Sequence, residues 1–115
     1  MRRAEIWLIN LDPTVGAQIK KTRPAVIISS DAIGILPHRV IVPLTDWKDR
    51  YFQAAWMVQI LPDTKNRLDK PSAADTFQIR SISTERFIRK VGDISKEDIE
   101  CIVSAVGLVI ESPME

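Results

Sequence analysis

The chain has 115 residues, 45% of them apolar and 27% charged, which suits one compact domain (residues 1–115) and excludes a disordered chain. Its net charge is +1, so any hold on nucleic acid must come from local clusters of Lys and Arg rather than from bulk charge. Cys101 is the single cysteine and His38 the single histidine, which excludes an intramolecular disulfide and a zinc site of Cys and His ligands within one chain.

The first expected strand is Glu5-Ile6-Trp7-Leu8-Ile9-Asn10, ended by Leu11-Asp12-Pro13-Thr14-Val15-Gly16, where Asp, Pro and Gly open a loop. A second strand is expected over Ala25 to Ser29, and a third over Arg39 to Thr45, whose Pro43 suggests an edge or a bulge. A charged and aromatic loop, Asp46-Trp47-Lys48-Asp49-Arg50-Tyr51, precedes a strand expected from Gln53 to Leu61. Residues 62 to 73 read as a surface loop. Asp75 to Ile82 then alternates, with Phe77 and Ile79 to one side and Gln78 and Arg80 to the other. Ser95 caps the one clear helix, whose stripe is Ile99, Ile102, Val103, Val106 and Ile110. Several short strands and one amphipathic helix predict a mainly β (α+β) fold: a small, open antiparallel barrel packed by a C-terminal helix. No run approaches the length of a membrane span and the start does not resemble a signal peptide, so a cytoplasmic location is expected.

Thr22-Arg23-Pro24 runs directly into the apolar Ala25-Val26-Ile27-Ile28. Proline biases the residue before it toward extended backbone, so Arg23 is placed, stretched and fixed, where a polar loop becomes a buried strand. A fork-shaped cation on such a ledge suits an anion, above all a phosphate, and Lys20 and Lys21 add to the charge. Taken alone, a surface arginine at a strand start is the commoner explanation.

These blocks resemble the MazF/PemK family of toxin endoribonucleases. The resemblance rests on Glu5-Ile6-Trp7, Leu11 to Gly16, Lys21-Thr22-Arg23-Pro24-Ala25-Val26-Ile27-Ile28, Val42-Pro43-Leu44-Thr45 and Gln78-Ile79-Arg80-Ser81-Ile82, in that order. It implies an SH3-like, CcdB/MazF-type barrel that forms a homodimer, cuts single-stranded mRNA at short motifs without a metal or cofactor, and is held inactive by a cognate antitoxin. It assigns the chemistry to Arg23 and Thr45. Two positions depart from the family pattern. Ala4 stands where many relatives have glycine, and Gln18 stands where many have a glutamate that is assigned a catalytic part in some members.

In RNA the 2′-hydroxyl attacks the adjacent phosphate and expels the 5′-oxygen; the enzyme assists the proton transfers and stabilises the pentacoordinate phosphate. Arg23 suits that charge and Thr45 suits a third phosphate oxygen, while Gln18 cannot take a proton as a carboxylate does. The expected RNA groove is lined by Lys20, Lys21, Arg23, Thr45, Gln78 and Arg80, with Trp47, Lys48, Arg50 and Tyr51 gripping flanking bases. Trp47 and Tyr51 are equally readable as loop anchors, and Gln78 and Arg80 as a polar sheet face. Trp7 and Trp56 are expected in the core or a dimer interface, Cys101 buried or half-buried, and His38 on the surface. Glu5 and Asp75 are both candidates for a hydrogen-bonding brace near the site. Other functions consistent with such a chain are an impaired module that binds RNA or antitoxin, and a gyrase poison, which the C-terminal sequence disfavours.

Overall fold

A computed structural model describes residues 1–11 and 22–113. Gln18, Lys20 and Lys21 lie outside the described residues. The strands are β1 (Glu5–Asn10), β2 (Thr22–Ile27), β3 (His38–Asp46), β4 (Met57–Ile60), β5 (Ser72–Asp75), β6 (Arg80–Ser83) and β7 (Phe87–Asp93), followed by helix α1 (Lys96–Val109). They form an antiparallel sheet in the order β4-β5-β3-β2-β1-β7, with β6 also paired to β3. This is the expected open sheet with a C-terminal helix. Among the described residues, no helix is long and apolar enough to cross a membrane.

β3 organises the sheet because it changes partners along its length. Residues 38–41 pair with β6 and residues 44–46 with β5, while 41–43 pair with β2 on the other side. Pro43, expected at an edge or bulge, therefore lies in a central strand, opposite Ala25. It falls in the gap between the β6 and β5 pairings, where no strand needs its missing N–H.

Alternation along the strands sends side chains into two cores, one on each face. Ile6, Val26, Val42, Leu44, Ile60 and Ala74 pack with Ile94 and with Ile99 and Ile102 of α1. Ile9, Leu11, Ala25, Ile27, Ile41 and Ile82 form the second cluster on the face away from the helix, with Trp7 and Phe87 against it.

Ser95 does cap α1, its hydroxyl accepting from the Asp98 N–H at 3.1 Å. The buried side of the helix is Ile99, Ile102 and Ala105, whereas Val103 and Ile110, expected in the stripe, are exposed. Cys101 is also exposed, on the wall of an open groove between α1 and β4, contrary to expectation. Trp7 is half-buried in β1, but Trp56 is exposed in the turn before β4.

Three further expectations are corrected. The strand expected over 53–61 is only Met57–Ile60, because Asp49–Gln53 forms a 3-10 turn. Part of the 62–73 loop is strand, since β5 begins at Ser72. The strand expected over 75–82 is interrupted by a 3-10 turn at Thr76–Gln78 before β6 resumes at Arg80. β7 has no counterpart among the expected elements.

The loop between β4 and β5 is knotted by Asn66, which is fully buried. Its Oδ1 accepts from the N–H groups of Asp63 and Leu68, both at 3.0 Å, and its Nδ2 donates to the Leu61 carbonyl at 2.9 Å. The knot rests on Gly92 of β7. A Cβ there would meet the carbonyl oxygens of Asn66 and Lys65 at 2.5 and 2.6 Å, so only glycine permits the approach.

Candidate active site

Arg23 and Thr45 are brought together by strand register. Ala25 of β2 faces Pro43 of β3, and continuing that antiparallel register by two residues sets Arg23 opposite Thr45. Arg23 Nη1 donates to Thr45 Oγ1 at 3.2 Å. The bond uses one of five guanidinium N–H donors and leaves the threonine hydroxyl hydrogen free to donate outward. Arg23 is exposed and Thr45 half-buried, and among the described residues no carboxylate forms an ion pair with Arg23. An arginine with no ion pair among the described residues, beside a hydroxyl that can donate, has the chemistry to hold an oxyanion at two points.

The same alternation collects further polar groups on this helix-free face. Arg23 shares the parity of Ala25 and Ile27, Thr45 that of Ile41, and Arg80 that of Ile82, all members of the second cluster. Arg80 is opposite Ile41 in the β3–β6 pairing. Asp75 follows Ala74, which belongs to the helix-side cluster, so its carboxylate also falls on the Arg23 face. Asp75 Oδ2 accepts from Gln78 Nε2 at 3.0 Å, joining Gln78 to the group.

The loop beyond Thr45 is an aromatic corner. The Trp47 ring meets Tyr51 edge-on at 5.6 Å and Phe52 at 4.8 Å, and the Arg50 guanidinium lies 5.4 Å from the Tyr51 ring centre. Trp47 is half-buried, and its backbone N–H donates to Pro71 at 3.0 Å, so it anchors the loop. Its buried Nε1 has no hydrogen-bond acceptor among the described residues. Lys48, Arg50 and Phe52 are exposed, and Phe52 is an aromatic member of the corner to which the sequence assigned no role. Its signal was its place directly after Tyr51.

His38 opens β3, seven residues from Thr45, which at strand rise is roughly 23 Å. It is exposed and takes no part in the site. Of the two candidate braces, Glu5 lies on the Arg23 face but four residues along β1 from Ile9, the partner of Arg23, and it braces Trp7 and the amino-terminal segment instead. Its carboxylate accepts from Trp7 Nε1 at 2.8 Å and the Arg2 N–H at 3.0 Å, and pairs with Lys90 at 3.4 Å. Burial works to raise its pKa, but these hydrogen bonds, the amino terminus and Lys90 together lower it to about 2. Among the described residues, no three His, Cys, Asp or Glu side chains converge as a metal-binding group.

Residues 2–110 match the family model of the PemK-like, MazF-like toxin of type II toxin-antitoxin systems. The chain belongs to that family. The family is one of endoribonucleases, and this chain is an endoribonuclease. Endoribonuclease MazF9 of Mycobacterium tuberculosis is 34% identical over 119 residues, covering 96% of this chain and 97% of that protein. Among solved structures, the MazE–MazF complex of Deinococcus radiodurans superposes with a TM-score of 0.77 at 16% identity, over 98% of each chain. An endoribonuclease in complex with its cognate antitoxin from a mycobacterial species gives 0.76 at 16% identity, over 100% of this chain and 99% of that one. These two likenesses establish that the toxin shares their fold. In this MazF-like toxin, then, the Arg-Pro segment and the end of the third strand converge through the hydrogen bond from Arg23 to Thr45.

Proposed function

We propose that this toxin cleaves single-stranded mRNA by attack of a ribose 2′-hydroxyl on the adjacent phosphate, at the Arg23–Thr45 pair. The observation that carries the proposal is the 3.2 Å hydrogen bond between Arg23 Nη1 and Thr45 Oγ1, with no carboxylate ion-paired to the arginine among the described residues. The 2′-oxygen forms a new bond to phosphorus, the 5′-oxygen leaves and is protonated, and a 2′,3′-cyclic phosphate remains. Arg23 stabilises the charge that accumulates on the equatorial oxygens, and Thr45 donates to one of them and holds the phosphate for in-line attack. DNA has no 2′-hydroxyl and is spared.

Arg80, Gln78 and the charged 48–50 segment extend the basic surface along the strand, with Lys20 and Lys21 as further phosphate contacts. Gln18 orients groups by hydrogen bonding rather than by accepting a proton. The chemistry needs no metal or cofactor. A cognate antitoxin restrains the enzyme, and a homodimer offers two copies of the face to one RNA.

The test is cleavage of a long single-stranded RNA by purified protein in EDTA, comparing wild type, Arg23→Ala and Gln18→Glu. Cutting by wild type that Arg23→Ala abolishes supports both the site and its metal independence. Faster cutting by Gln18→Glu would support a rate limited by the neutral residue. Equal cutting by wild type and Arg23→Ala would refute the site.

A further inference from the structure

The turn Thr76–Gln78 is built more firmly than a connection between β5 and β6 requires. Thr76 is fully buried, and its N–H and hydroxyl both donate to the Trp56 carbonyl, at 3.2 and 2.6 Å. Asp75 holds the turn from the other side. Its Oδ1 accepts from the Phe77 N–H at 3.2 Å and its Oδ2 from Gln78 Nε2 at 3.0 Å. On this rigid base the Phe77 side chain is left 72% exposed, although the alternation of the sequence would turn it inward with Ile79.

We infer that the turn is a nucleobase seat, in which Phe77 stacks on a base and Gln78, oriented by Asp75, reads its edge. The inference rests on the cleavage reading above and names a specificity element within it. Strand geometry sets the position. Ala73 faces Thr45 across the β3–β5 pair, and Asp75 lies two residues further along β5. This puts Asp75 roughly 8 Å from Thr45 at ordinary strand spacing and rise. A nucleotide next to the one whose phosphate sits on Arg23 and Thr45 can reach the turn.

The chemistry of the brace decides which base fits. A carboxylate only accepts hydrogen bonds, so the Gln78 amide must turn its nitrogen toward Asp75, and the flip of the amide is fixed. The outward-facing atom is Oε1, an acceptor, beside the unused lone pairs of Asp75. Such a seat favours a base that offers an exocyclic amino group. It disfavours uracil, whose pairing edge has one donor between two carbonyl acceptors.

The experiment measures kcat and KM for single-stranded RNAs varied one base at a time around the cut, with wild type, Asp75→Asn, Phe77→Ala, Phe77→Trp and Arg23→Ala. Wild type should prefer an amino-bearing base over uracil at one position beside the cut, by roughly tenfold. Asp75→Asn, which lets the amide turn over, should level that preference and leave preferences elsewhere intact. Phe77→Ala should raise KM by roughly tenfold with kcat little changed, and Phe77→Trp should restore it. The seat is overturned if Arg23→Ala stops cleavage while the Asp75 and Phe77 variants keep every preference and KM of wild type. It is equally overturned if those variants lose activity uniformly at all positions. If Arg23→Ala cuts as well as wild type, the cleavage reading itself falls.

Discussion

Arg23 and Thr45 share one hydrogen bond and, in the proposed reaction, one phosphate, so their substitutions should not act independently. Thr45→Val keeps the shape of the side chain and removes both the acceptor for Arg23 Nη1 and the hydroxyl donor. Loss of one donor aimed at a developing oxyanion costs about 3–4 kcal/mol of the barrier, or roughly 10²–10³-fold in kcat. Arg23→Ala removes several donors and the charge, and should cost at least as much. The cost to folding is small. The bond is 3.2 Å long between an exposed and a half-buried side chain, a setting where one hydrogen bond contributes about 1 kcal/mol net. Steady-state cleavage of a fluorogenic single-stranded RNA in EDTA, with a thermal melt of each variant, separates the two effects. In the double variant the loss should exceed that of the worse single variant by no more than about tenfold, because a misplaced phosphate gains little from the surviving partner. A double loss equal to the product of the two single losses would mean that the residues act on different groups, and the shared receptor would be refuted.

Three further outcomes follow from the geometry. Lys48→Ala with Arg50→Ala should weaken RNA binding and lower the slope of log Kd against log salt by about 0.7 for each phosphate that is no longer neutralised, measured by anisotropy from low to moderate salt. Asn66→Ala strands the Asp63 and Leu68 N–H groups and the Leu61 carbonyl, and should cost about 3 kcal/mol in urea unfolding. Glu5 has its pKa depressed from 4.5 to about 2 in the folded state, so its stabilising contribution is complete above the unfolded value and disappears as pH falls from about 4.5 toward 2. After allowance for solvent screening that contribution is about 1–2 kcal/mol, and Glu5→Gln should flatten the acid limb of a stability-against-pH curve over that window.

How much of this was legible in the sequence depends on whether local pattern or distant contact decided each element. β1 and β3 and the start of α1 follow from local pattern, because their apolar residues face cores and Ser95 caps its own helix. The break at Thr76 is not local. Asp75 to Ile82 has a good strand alternation, but the Trp56 carbonyl, twenty positions earlier, takes both Thr76 donors, and the Asp75 side chain takes the N–H of Phe77. Side-chain acceptors here displace a ladder that the pattern would otherwise support. β7 escaped for the opposite reason: Ile88, Arg89 and Lys90 are all exposed, so this edge strand lacks an alternating buried face.

The site divides in the same way. Residue type and the following proline marked Arg23 as an anion ligand, and the family resemblance supplied Thr45. What joins them is the pairing of β2 with β3, a register that no window of either strand contains. Pro43 links the two scales. Its missing N–H falls where β3 exchanges β6 for β5, and that exchange lets β5 run beside Thr45 while β6 runs beside Ile41. Asp75, with Gln78 bonded to it, and Arg80 therefore arrive from two different strands on the face that carries Arg23. Had β3 kept one partner along its whole length, the polar groups of the two strands could not flank the same Arg23–Thr45 pair. The proline that reads in sequence as a defect in a strand is thus the point at which the sheet divides to surround its candidate active site.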